Sequence, residues 1–140
     1  MTFKATEAEI GSGVFANLKD DGDSLTCIFL AEPEPITSKF LGQEKARAVF
    51  PVLTAEGLRA FSTGARVFRR LRDSWKDVHM KCVTITRHGA RNSLGTDYDI
   101  TLAKPNEKLL GIARKVKRQH IDMLLSAARG EHTTGEDVAF

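Results

Sequence analysis

Cysteine is scarce in this chain: Cys27 and Cys82 are the only two among 140 residues. Both sit in apolar, strand-forming surroundings without a CxxC spacing or a paired histidine. Two buried thiols are expected, not a disulfide or a metal site. Long apolar runs are missing as well. No stretch approaches the ~20 residues of a membrane span, and no basic segment followed by an apolar one opens the sequence. A soluble cytoplasmic protein without a membrane partner is expected. The four histidines, His79, His88, His120 and His132, are scattered, and no HExxH or Gly-x-Ser-x-Gly pattern occurs. Gly11-Ser12-Gly13 lacks the Lys-Ser/Thr of a phosphate loop. Asp97 and Asp99, on the outer side of one strand, read as a solvated pair and not as metal ligands. No catalysis, no cofactor and no bound metal are expected.

What the chain does have is an uneven distribution of charge. Lys and Arg number 21 against 18 Asp and Glu, a formal net charge of +3. Residues 131–140 hold Glu131, Glu136 and Asp137 and no Lys or Arg, so residues 1–130 alone carry +6. A basic body suits a polyanion. An acidic end closing on Phe140 suits a protein partner, or competition for the same basic groove. At this length a single domain is expected, divided into a β-rich body over 1–104, a helix over 105–130 and a tail over 131–140.

Taken in order, Val14–Leu18 alternates as a short strand, and Lys19-Asp20-Asp21-Gly22-Asp23 is turn chemistry. Ser24–Ala31 reads as a strand with Leu25, Cys27 and Phe29 on one side, stopped by Pro33 and Pro35. Thr37–Gln43 reads as a polar loop around Lys39 and Phe40. Lys45–Leu53 is a further strand, with Pro51 pointing to an edge or a bulge. Leu58–Phe61 is ambiguous between a strand end and a helix lead-in. Ser62 is the expected N-cap of a helix over 63–72, with Val67, Phe68, Leu71 and Trp75 facing the core. Strands are expected over 78–87 and 96–102. Pro105 and Asn106 open a long helix, with Gly130 as its stop. Its apolar stripe is Leu109, Ile112, Ala113, Val116, Met123, Leu124 and Ala127, to be buried on the sheet or against a second copy.

About five short strands with one helix between the third and fourth predict a mainly β fold with helices. The expected architecture is a five-stranded, OB-fold-like antiparallel barrel with one internal helix and a long C-terminal helix. Two segments sharpen this. Val14-Phe15-Ala16-Asn17-Leu18-Lys19-Asp20-Asp21-Gly22-Asp23-Ser24-Leu25 resembles the first hairpin of small bacteriophage single-stranded DNA-binding proteins of the OB-fold type. Val83-Thr84-Ile85-Thr86-Arg87-His88-Gly89, followed by Gly95-Thr96-Asp97-Tyr98, resembles their late hairpin. The acidic end with its terminal Phe140 is similar to their tails, which recruit replication proteins such as polymerase and helicase. The resemblance spans roughly residues 14–104 and the last five. It implies sequence-independent binding of single-stranded DNA in replication, recombination or repair, in a host cytoplasm, with Glu136, Asp137 and Phe140 as the partner hook. An RNA-binding barrel, or a structural oligomeric phage protein without nucleic-acid affinity, are the alternatives.

Single strands are held by cations that track phosphates and by aromatic faces that stack bases. Candidate stacking residues are Phe40, Phe50 and Tyr98, with Phe15 behind them. Candidate cations are Lys39, Lys45 and Arg47 on and before the second strand, with Arg87 and Arg91 around the late hairpin. Arg66, Arg69, Arg70, Arg72 and Lys76 form a denser group on the internal helix, and the C-terminal helix adds more. A homo-oligomer is compatible with all of this.

Overall fold

The computed structural model describes residues 14–16, 18–40, 43–89 and 97–138, with side chains outside 38–45 and 131–138. Six strands form one antiparallel sheet: β1 (Ser24–Phe29), β2 (Glu34–Phe40), β3 (Gln43–Thr54), β4 (Gly57–Thr63), β5 (Cys82–His88) and β6 (Asp97–Leu102). Among the described residues four full helices accompany them: α1 (Ala65–Asp73), α2 (Trp75–Val78), α3 (Glu107–Lys115) and α4 (Arg118–Val138). The pairing runs β4 to β3, β3 to both β2 and β1, β1 to β5 and β5 to β6. Among the described residues no ladder joins β4 to β6, so the sheet is open and not the closed five-stranded barrel expected.

The strand β3 is the axis of the sheet. Both β1 and β2 run antiparallel to it along the same edge. Phe29 lies opposite Val52 and Glu34 opposite Val49, so five steps on one side face three on the other. The two surplus residues sit between Leu30 and Pro33, and β1 and β2 behave as one long strand interrupted by a bulge. This explains Pro51, which lies inside β3 and not at an edge. Its carbonyl accepts from Leu30 N–H at 3.0 Å, so its missing N–H also faces the interval where β1 has ended and β2 has not begun. Thr37–Phe40, read from sequence as a loop, belongs to β2. Its polar residues and flanking prolines hide the alternation, and among its described side chains Ile36 is the one buried in the core.

Other boundaries moved for local reasons. Ser62 is not a helix cap but part of β4, and α1 begins after Gly64 without a side-chain cap. Val14–Leu18 makes no full strand; Phe15 forms an isolated bridge to Ala60 on the free edge of β4. The turn before β1 is as expected, with Gly22 at φ +88° and Asp23 accepting from the N–H groups of Lys19 and Asp20. Asn106 caps α3, its side chain accepting from Leu109 N–H at 3.1 Å.

The sheet is apolar on both faces. Toward α1 and α2 it presents Cys27, Phe29, Phe50, Val52, Phe61, Val83 and Ile85, covered by Val67, Leu71 and Val78. Phe29 anchors this side through edge-on contacts to Phe50, Phe61 and Trp75 at centroid distances of 5.3, 6.2 and 6.2 Å. Toward α3 and α4 it presents Ile28, Leu30, Ile36, Val49, Leu53, Ala60 and Cys82, covered by Leu109, Ala113, Ile121, Leu125 and Ala128. Both cysteines are free and buried; burial, with Cys82 adding, pushes the Cys27 thiol up to about 12. No helix among the described residues is long and apolar enough to cross a membrane.

The expected C-terminal helix is interrupted at Val116 and Lys117. This break resets the helical phase. Downstream of it the buried stripe is Ile121, Leu125 and Ala128, while Met123, assigned to the core from sequence, is 70% exposed. Gly130 does not stop α4, which continues to Val138. The reset has a direct consequence: Leu125→Ala should destabilise the protein by about 2–5 kcal/mol, whereas Met123→Ala should change stability by less than about 0.5 kcal/mol. Urea unfolding of the two variants measures the difference.

Candidate nucleic-acid interface

The side-chain pattern of α1 places its functional groups. Val67 and Leu71 point into the sheet, so Ala65, Phe68 and Arg72, three and four residues apart, share a neighbouring stripe. That stripe walls a groove against the bulge between β1 and β2. Two adjoining clefts of about 390 and 380 Å³ make up the groove, with Pro33 and Phe68 lining both. The first is completed by Arg47, Ala48, Thr63 and Gly64, the second by Glu32, Phe50, Arg72 and Trp75.

Phe68 is half-buried and carries the Arg72 guanidinium 6.0 Å from its ring centroid. Trp75 is also half-buried, stacked on His79 at 5.0 Å and tilted against Phe50 at 5.8 Å. Arg47 is fixed at the far wall, donating from Nε to Ser62 Oγ at 2.6 Å and from a terminal nitrogen to the Ser62 carbonyl. Arg69 and Lys76, next in the chain to Phe68 and Trp75, are exposed and have no ion-pair partner among the described residues. Arg72 pairs with its neighbour Asp73 at 3.3 Å, an exposed contact worth little. Glu32 at the rim opposes this positive field. Glu34 is neutralised by Arg118 and Arg129 of α4.

The other side of α1 faces β6. Arg70 donates to the carbonyl of Tyr98 and pairs with Asp97 at 3.2 Å. Burial pushes the Asp97 carboxyl up, but the Tyr98 N–H, the Arg70 hydrogen bond and the charges of Arg70 and Arg66 outweigh it and hold the group below its ordinary value.

The structure redistributes the residues nominated from sequence. Arg47 reaches the groove. Phe50 lines its floor but is 1% exposed, locked against Phe29 and Trp75, so it has no free face for a base. Tyr98 is half-buried with its ring edge-on to Phe61 at 5.3 Å, a core contact between β4 and β6. Arg87 is committed to the backbone, donating to the carbonyls of Gly89 and Leu18 at 2.9 and 2.8 Å, and so ties β5 to the N-terminal segment. The side chains of Lys39, Phe40, Lys45, Glu136 and Asp137, and all of Arg91 and Phe140, lie outside the described residues. Asp99 accepts from His88 Nε2 at 2.6 Å, and Asp97 is held by Arg70, so the two carboxylates do not converge.

Helical spacing assigned Phe68 and Trp75 to the core, and both pack against it; what it did not show is that each stays half-buried beside a cleft. The available signal was the Phe68–Arg72 pair four residues apart. A further hollow of about 420 Å³, lined by Phe15, Leu25, Thr54 and Arg59 among others, offers less: Arg59 is engaged by Glu56 and the Leu58 carbonyl.

No known protein family matches the sequence, and neither curated proteins nor solved structures contain a significant match to it.

The folded Asp97 carboxyl lies below its unfolded value of about 3.9. Its contacts therefore stabilise the fold fully above that pH and are lost as pH falls through the folded value. Arg70→Ala should raise the Asp97 midpoint in an NMR titration and lessen the stability lost on acidification in this window.

Proposed function

We propose that the protein binds single-stranded nucleic acid, in the first place DNA, without reading sequence. The observation that carries this is the α1 groove: the half-buried ring of Phe68 set in two adjoining clefts, with Trp75 at the wall of one and the exposed cations Arg69 and Lys76 next to them in the chain. Each of the two terms that hold single strands, phosphate neutralisation and base stacking, has its groups there. The polar side chains Arg47 and Thr63 are already engaged by protein partners, Thr63 donating to the Ala48 carbonyl at 3.0 Å, which suits contact with any base.

The connectivity supports the same reading. With β1 and β2 counted as one bulged strand, five strands pair in the order of an OB barrel, and α1 and α2 occupy the place of its inserted helix. Phe61 and Tyr98 approach across the gap that a closed barrel would seal. Such barrels commonly offer their second and third strands to ligand, here β3 and β4. In this protein α4 packs over the outer face of those strands, which moves the open cationic surface to α1. The acidic end with Phe140 remains the proposed contact for replication proteins.

Binding is expected to weaken with salt at a log–log slope of about −0.7 per phosphate neutralised. Trp75 is the one tryptophan and lines the groove, so oligo-dT should quench its fluorescence. Phe68→Ala should weaken oligo-dT binding roughly 5- to 150-fold, the equivalent of about one stacked base, while circular dichroism shows the fold retained. Unchanged affinity in that variant, or a preference for duplex, would reject the reading.

A further inference from the structure

We infer that the outer surface of α3 is a second site for a nucleic-acid strand, so that one molecule holds two strands on opposite sides of its sheet. This rests on the reading of the α1 groove as the first site. Between Lys104 and Arg118 six cations face a single acid, Glu107. Lys108, Arg114, Lys115 and Lys117 are all exposed and have no ion-pair partner among the described residues. Arg118 differs, being spent on Glu34 and Asp122. Leu109 and Ala113 turn the inner face of α3 into the core, which leaves Lys108, Ile112 and Lys115, four and three residues apart, along its outer face. Ile112 is 47% exposed between the two lysines, an apolar contact for a base or sugar between two phosphate contacts.

The position of this face makes it a second site and not an extension of the first. α1 and α2 cover one apolar face of the sheet, and α3 and α4 cover the other. A strand passing from α1 to α3 around the β6 edge would meet the exposed carboxylate of Asp99, whose charge repels phosphate. Two separate strands avoid that edge. The ligand class is the phosphodiester backbone of a second single strand, held by charge and released by salt.

The test is a capture experiment with the full chain. Biotinylated oligo-dT is immobilised, loaded with protein in dilute salt, washed, and challenged with fluorescent oligo-dT. The wild type is expected to retain protein and to capture the second oligomer. A variant carrying Lys108→Glu, Lys115→Glu and Lys117→Glu is expected to stay on the first strand while capturing at least tenfold less of the second. Circular dichroism establishes that the variant is folded. Retention without capture by the wild type would overturn the second site and leave the α1 reading standing, as would undiminished capture by the variant. Loss of both strands in the folded variant would equally overturn it, because the two faces would then act as one site. Failure of the wild type to hold even the first strand would remove the α1 reading, and the second site with it.

Discussion

A single sheet with two apolar faces must be covered twice, and this constraint organises the molecule. Phe29, Phe50 and Phe61 point to one side of the β1, β3 and β4 strands, and Ile28, Val49 and Ala60 to the other. Water cannot be left on either. The short helices α1 and α2 close the aromatic side. The longer pair α3 and α4 closes the aliphatic side, where small residues such as Ala113 and Ala128 let the helices approach.

The cover on each side then decides what is left for solvent and ligand. α4 lies across β2, β3 and β4, so the outer face of those strands is core and not groove. α1 is too short to seal the bulge between β1 and β2, and the uncovered wall becomes the cleft where Phe68 and Trp75 are half-exposed. The bulge coincides with Pro33, which cannot donate to a continuous ladder, and Pro51 opposes it where no donor is needed. One irregularity in pairing thus accommodates two prolines and opens the candidate site.

Local chemistry was readable where it was self-contained. The Asp-Gly turn at Gly22, the Asn106 cap and the burial of both cysteines are each set by a few adjacent residues; the alternation of β6 held for Tyr98 and Ile100 but not for Leu102, which is exposed. Mixed β and helical character followed from them. The loop reading of Thr37–Gln43 failed because an edge strand with one buried residue carries almost no period. The core stripe of the C-terminal helix held at Leu109 and Ala113 and failed beyond them because Val116 and Lys117 interrupt the turn without a glycine or proline to announce it. At the site, Arg47 was legible as a cation on a strand, but its engagement by Ser62 was not. Arg87 and Phe50 were misjudged because their partners, Leu18 and Phe29, are distant in sequence.

By itself the sequence determined the charge: a basic body, a dense row of cations on one helix, and an acidic end. Those are sums over residues and need no fold. Which cations are unpaired, which aromatic rings keep an exposed surface, and which face of the sheet is open were decided by tertiary structure alone. Each depends on what packs against a side chain from elsewhere in the chain, and the two pairs of helices that cover the two faces of one sheet settle that only when all are assembled.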